Sequence, residues 1–362
     1  MKIREVLDYF ERVIPLEFQE SYDNSGLQTG NPEKELRCAL LTLDVTEKTI
    51  EEAHKKKCNL IISHHPLIFH GLKKISGATP IERIIEKAIK SDISIYAAHT
   101  CLDNNINGLN SFVAQKMGIK NIKILSPSQN TLKKLVVFCP IDYAEKLRKT
   151  LFEAGAGHIG NYDSCSFNVA GTGSFRAGEG ANPFVGETNM LHFENEIRIE
   201  TIFPGIIQHQ LIQAMLKAHP YEEVAYDIYP LDNFYYSIGS GIIGELEKEH
   251  NTEEFLLFLK DFFKTNCLKH NKTKISKIKT IAFCGGSGSF LINKAIEQKA
   301  DIFITADLKY HDFQTDEILL ADSGHYETEI FALELITSLI IKKFPTFAFL
   351  FSENISNPVS YI

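Results

Sequence analysis

The chain has 362 residues, 44% of them hydrophobic and 23% charged, with a formal net charge of −8 at pH 7. A single core seldom organises more than roughly 200 residues, so two or three domains are expected. The acidic balance argues against an extended nucleic-acid interface, which needs a basic face. Seven cysteines (Cys38, Cys58, Cys101, Cys139, Cys165, Cys267 and Cys284) are scattered without a C-x-x-C pair. They disfavour a disulfide framework and a thiolate zinc site, and fit a reducing, cytoplasmic setting.

In chain order, the first eighteen residues, MKIREVLDYFERVIPLEF, carry charges throughout their apolar pattern. They read as an amphipathic helix and not as a secretory leader. Cys38–Leu43 is a strand candidate followed by a helix at Thr46–Lys56. Asn59–Ile62 is a second apolar run, leading into Ser63-His64-His65-Pro66. Pro80–Lys90 has helical spacing, and Ile93–Ala98 is a third strand ahead of His99-Thr100-Cys101-Leu102-Asp103.

From about Leu132 the grammar changes. Leu135–Phe138, a helix at Tyr143–Glu153, Gly-rich loops at Ala154–Gly160 and Gly171–Gly186, Glu196–Phe203, a helix at Ile207–Ala218 and Val224–Tyr229 follow in turn. This β-α-β-β-α-β order implies a ferredoxin-like α+β unit. Late in the chain come Thr280–Cys284, the run Gly285-Gly286-Ser287-Gly288, a helix at Phe290–Lys299, a strand at Asp301–Thr305, a helix at Ile330–Lys343 and a strand at Thr346–Phe351. The apolar stretch Phe331–Ile341 is too short to span a bilayer. Strands alternating with helices imply an α/β fold with a parallel or mixed sheet. The expected organisation is a core lobe at 1–127, a ferredoxin-like insert at 128–232 and a second core lobe at 233–362. Three independent domains in series are the rival arrangement.

Three polar clusters follow predicted strands or open helices, where open α/β sheets gather ligands. His64 and His65 can converge on one site only if the chain leaves the strand there, and Pro66 favours that. Two ordinary loop histidines are the plainer alternative. His325 and Glu329, four apart, share one helical face. Favourable placement near the helix dipole would explain the glutamate but not the histidine. Asp103 suits a bridging ligand, though an Asp turn would also explain it. Together the three clusters suggest a metal site. His99 is a candidate for hydrogen bonding to a ligand. Asp44 is a candidate base or helix cap, and Lys309 a candidate substrate contact or a solvated loop residue. The Gly285–Gly288 run could cradle a phosphate but fits a tight strand-to-helix turn better. Tyr22-Asp23-Asn24-Ser25-Gly26-Leu27 reads as an Asx turn with no assigned chemistry.

The chain resembles the Nif-three-like dinuclear metal-centre family, many of whose members carry the label GTP cyclohydrolase 1 type 2 homologue. The likeness rests on DNSGLQTG, LTLDVTEKTIEEA, LIISHHPLIFHGLK, AAHTCLDNNINGLN, IAFCGGSGSF, TADLKYHDFQ and ADSGHYETE, in that order. It implies two divalent metal ions, zinc, iron or manganese, held by His64, His65, Asp103, His325 and Glu329. It also implies a homohexamer built as a trimer of dimers. Segments FEAGAGHIGNYDSCSF, EGANPFVGE and HPYEEVAYDIYPL resemble the PII/CutA-like insert of the longer members, where His158 and His219 fall and are read as structural. The expected activity is metal-dependent hydrolysis of a nucleotide or another phosphorylated or heterocyclic small molecule. A non-enzymatic metal-binding scaffold or regulatory interaction protein is the alternative.

Overall fold

A computed structural model describes residues 1–354, 356–360 and 362. The chain forms two compact units, one made of Met1–Pro127 with Ser237–Ile362 and the other of Ser128–Tyr236.

The first unit holds two mixed sheets. In one, the strands run Gly26–Thr29, Ser94–Ala97, Leu60–Ser63, Ala39–Thr42 and Phe349–Phe351 in spatial order. The last four are mutually parallel, and Gly26–Thr29 pairs antiparallel with Ser94–Ala97. In the other, the order is Lys269–His270, Leu319–Asp322, Ile302–Ala306, Lys277–Ser287, Tyr235–Asn251 and Lys120–Ser128. Its three central strands, from Leu319–Asp322 to Lys277–Ser287, are parallel.

Alternation along these strands sorts the side chains into layers. Leu60 and Ile62 join Ile302, Ile304 and Phe283 in one shared core, together with Ile3, Phe10, Val113 and Ile336 from three helices. Ile61 faces the opposite side, against Ile50, Ile84 and Ile85. Phe303 likewise turns away, against Leu291 and Ala295. Buried on both faces, the strands read as unbroken apolar runs. The helices that cover them start where chemistry dictates. Thr46 caps Glu47–Lys55 by accepting the Thr49 N–H. Thr79 caps Pro80–Lys90, with proline in the first turn.

The second unit has the strand order Phe167–Arg176, Leu191–Pro204, Leu132–Pro140, Tyr226–Leu231, all neighbours antiparallel. With helices at Ile141–Glu153 and Gln208–Ala218, this is the ferredoxin-like arrangement. Leu135, Val137, Ile199 and Phe203 pack with Leu147, Leu151, Leu211 and Met215 beneath those helices.

Several elements differ from the sequence expectation. The segment Gly171–Arg176, expected as loop, is the end of the strand Phe167–Arg176. Gly173 suits this strand because a Cβ there would lie 2.2 Å from Glu196 Oε2 of the neighbouring strand. The last strand of this unit is Tyr226–Leu231, two residues later than expected. The strands Gly26–Thr29, Lys120–Ser128 and Tyr235–Asn251 and the helices Leu109–Lys116 and Thr252–Phe262 had no expectation at all. The helix expected at Phe290–Lys299 is a short 3₁₀ turn followed by Ile292–Glu297. No helix among the described residues is long and apolar enough to cross a membrane.

Beyond the edge strand Phe349–Phe351, the chain is tied down by Glu52. Its carboxylate accepts the Glu353 N–H at 2.9 Å and the Ser352 hydroxyl at 2.7 Å, and pairs with Lys56 at 2.7 Å. Burial opposes ionisation, but these bonds hold Glu52 at about 2, below its usual range. A lowered native value means that the tie is intact above the unfolded-state pKa and is lost as pH falls toward 2. Hydrogen exchange should therefore show amide protection at residues 352–354 at pH 6 that declines by pH 3. Glu52→Gln should lower that protection already at pH 6.

Candidate metal centre

The parallel strands of both sheets in the first unit end level with one another. Thr42 pairs with Ser63, Ser63 with Ala97, and Thr305 with Asp322. Directly beyond these ends lie Asp44, His64, His65, His99, Asp307 and, across Ser323-Gly324, His325. The carboxyl edges of two sheets thereby deliver side chains to one place. A short helix, His325–Glu329, adds Glu329 one turn beyond His325.

Each imidazole is oriented through Nδ1. His64 Nδ1 lies 2.8 Å from the Ala98 carbonyl, which can only accept, so the proton sits on Nδ1. His65 Nδ1 lies 2.7 Å from Asp44, His99 Nδ1 2.8 Å from Asp23, and His325 Nδ1 2.6 Å from Asp307. On every ring Nε2 is the nitrogen left to face other groups. Glu329 Oε2 neighbours three of the four, at 2.9 Å from His65 Nε2, 3.0 Å from His325 Nε2 and 3.8 Å from His64 Nε2.

The arrangement is electrostatically incomplete. His64 is fully buried, and burial pushes its pKa down, so the ring is neutral with a bare lone pair on Nε2. That lone pair faces Asp103 Oδ1 at 3.7 Å and Glu329 Oε2 at 3.8 Å. Neither His64 Nε2 nor Asp103 Oδ1 has a hydrogen-bond partner. Buried acceptors facing one another without a donor are costly, and a cation between them removes the cost. Three overlapping trios have ligand atoms mutually within 4.8 Å: His64, His65 and His99; His65, His325 and Glu329; His64, Asp103 and Glu329. The donors are nitrogen and oxygen without thiolate, which suits zinc, iron or manganese.

Protons partly take a cation's place. Burial would lower His65, but Asp44 and Glu329 raise it to about 10. Burial likewise opposes the charge on His325, and Glu329 and Asp307 raise it to about 9. Asp103 is pushed well up by burial and by the neighbouring Glu329 charge. Glu329 is held far down, because its close contacts with His325 and His65 overcome its burial.

Glycine makes room for the hub. Gly286 has φ +62°, and a Cβ there would lie 2.1 Å from Glu329 Oε1. The Gly285–Gly288 run is thus no phosphate cradle. The Gly285 N–H is bonded to Asn110 Oδ1 at 2.8 Å and the Gly286 N–H to the Thr328 hydroxyl at 3.0 Å. Ser287 donates instead to Asp307.

Of the sequence candidates, His64, His65, His99, Asp103, His325 and Glu329 come together, and Asp44 joins them through His65. Asp44 is no helix cap, since Thr46 fills that role. Lys309 is exposed, its N–H held by Asp312, and among the described residues its ammonium makes no ion pair. In the second unit, His219 gives its Nε2 proton to the Phe138 carbonyl and accepts the Tyr221 N–H, a satisfied structural histidine. Asp23, read only as an Asx turn, orients His99 while also accepting the N–H and hydroxyl of Thr100. No local pattern announces that role; its partner lies 76 residues away. Asp307, just past the strand Ile302–Ala306, orients His325 in the same way. A cavity of about 550 Å³ opens beside His65 and His325, walled by Asp44, Asp307, Asp322 and Glu327.

Residues 1–358 match the family model Duf34/NIF3 (NGG1p interacting factor 3). The chain belongs to this family. It is 40% identical over 367 aligned positions to a Bacillus subtilis protein named GTP cyclohydrolase 1 type 2 homolog, covering 99% of this chain and 98% of that one. Its structure is similar to that of a Bacillus cereus protein related to NIF3, with a TM-score of 0.85 at 37% identity, covering 100% and 99% of the two chains. A Staphylococcus aureus protein is similar with a TM-score of 0.77 at 29% identity, again over 100% and 99%.

Two measurements probe the centre. Metal titration by calorimetry near pH 7.5, in buffers of different ionisation enthalpy, should show release of at least two protons, and affinity should rise with pH toward 9, because the protons on His65 and His325 must leave first. Gly286→Ala should fold, by circular dichroism, yet bind metal more weakly by about tenfold or more, since its Cβ displaces Glu329.

Proposed function

We propose that the chain is a metal-dependent hydrolase with a dinuclear centre. The observation that carries this reading is the buried, donor-free meeting of His64 Nε2 with Asp103 Oδ1 and Glu329 Oε2. The trios His65–His325–Glu329 and His64–Asp103–Glu329 share Glu329 alone, as a bridging carboxylate would require. His99 adds a further nitrogen beside His64 and His65. Divalent ions there would supply Lewis acidity, making water a usable nucleophile near neutral pH and polarising the bond under attack.

The protein's own residues set the conditions. Ala98, Asp44, Asp23 and Asp307 fix the rings so that Nε2 faces inward. The cavity beside the site receives the substrate. Among its described lining residues Lys269 is the one lysine or arginine, and Asp322 already pairs with it at 2.6 Å. A phosphorylated substrate would therefore rely on the metal ions for charge. The substrate class we propose is a nucleotide or another phosphorylated or heterocyclic small molecule. Hydrolytic opening of the GTP base is the form suggested by the relatives' name.

The test is turnover of GTP and a panel of phosphoesters by metal-loaded protein, before and after chelation and in Asp103→Ala. Turnover should fall by about 100-fold or more with the loss of the Asp103 carboxylate. Unchanged turnover in Asp103→Ala would remove the catalytic claim. Asp23→Asn should fold normally and weaken metal binding by about 10–100-fold, because it leaves His99 misoriented.

A further inference from the structure

We infer that the second unit carries a binding site for an organic cation, a ligand with an ammonium group on an apolar body. The site lies wholly within Ser128–Tyr236 and shares no residue with the metal centre. It is a cavity of about 460 Å³ lined by four aromatic rings, Phe138, Phe175, Phe184 and Tyr221. Tyr221 stands between two of the others, its ring centroid 6.3 Å from Phe175 at 58° and 6.2 Å from Phe184 at 48°. These three rings, tilted against one another, and Phe138 are the aromatic wall of the cavity. The electronegative ring faces attract a cation, and more strongly where water is excluded.

The polar complement has one dominant sign. Glu196, Glu222 and Glu223 line the cavity against a single guanidinium, that of Arg176. Among the described residues Glu196 and Glu223 make no ion pair with a lysine, arginine or histidine, so their charge is not neutralised from within. Glu222 accepts the Asn182 N–H at 2.8 Å, which pins the loop carrying Phe184 over the cavity. The Tyr221 hydroxyl is buried without a hydrogen-bond partner. Burial and the nearby Glu196 charge hold this phenol protonated.

Local sequence builds the space. Gly173 lies in the strand Phe167–Arg176, and the Glu196 carboxylate leans into the room that a side chain there would occupy. A residue larger than glycine would push Glu196 away from the rings. An anionic ligand such as a nucleotide would bring its phosphates against three carboxylates. A neutral apolar ligand would use the rings but desolvate the carboxylates without compensation. A cation uses both.

The experiment is calorimetric titration of the full-length protein with phenethylammonium and tetramethylammonium. Uncharged 2-phenylethanol and 3,3-dimethylbutan-1-ol serve as shape controls, and ATP as the anionic control. We expect each cation to bind at least about tenfold more tightly than its neutral counterpart, equivalent to about 1.4 kcal/mol. Glu196→Gln and Phe184→Ala should each weaken cation binding by about tenfold. The first change is nearly isosteric and the second lies on a half-exposed loop ring, so both should retain the circular dichroism spectrum of the parent. Prior chelation of the protein should leave cation binding unchanged. The inference is overturned if the neutral compounds or ATP bind as well as the cations. It also falls if both variants retain the parent affinity, or if neither cation binds below about 10 mM.

Discussion

Lone pairs converging in a dry place are the constraint on which the first unit is built. Four imidazoles present their free nitrogens, and two carboxylates their oxygens, to one small volume between the sheet edges. Left to themselves these groups repel one another, and only protons or metal ions reconcile them. The apolar core supports this meeting. Leu60, Ile62, Ile302 and Ile304 fix the strands in register, so that the residues just beyond their ends arrive together. A slip of one residue in Leu60–Ser63 would turn His64 and His65 to the wrong faces.

The outer partners tighten the arrangement further. Each ring has its second nitrogen occupied, three times by a carboxylate and once by a backbone carbonyl. The carbonyl falls to His64, the ring with no exposure. A fourth carboxylate there would have added charge to the most deeply buried position. Asp307 holds a left-handed backbone conformation, φ +57°, unusual for a residue with a side chain, and bonds both Ser287 and His325. Local strain at this point places a carboxylate where an extended strand would not.

Much of this was legible from sequence, for identifiable reasons. The doublet His64-His65 before Pro66, and His325 with Glu329 at helical spacing, are local patterns with a geometric meaning. Most of the parallel strands announce themselves as short apolar runs, although Leu319–Asp322 had no expectation. What escaped notice depends on distant pairing. Asp23 acts through a ring 76 positions later, and nothing adjacent to it distinguishes that use from an ordinary turn. Tyr235–Asn251 was missed because its middle holds three glycines and its end five charged or polar residues, a composition that reads as loop. Sheet partners and not propensity make it a strand. The Gly285–Gly288 run was ambiguous for the same reason. The Gly286 conformation serves a glutamate that enters from elsewhere in the chain.

Joining His65 to Glu329 closes a loop of 264 residues. During synthesis the first half of the site therefore emerges long before the second. His64, His65 and His99, with the partners that orient them, are made before the intervening unit, and Glu329 after it. A chain cut short before Glu329 would lack the edge strand Phe349–Phe351 of the first sheet, the Ile336 side of its core and the carboxylate common to two of the ligand trios.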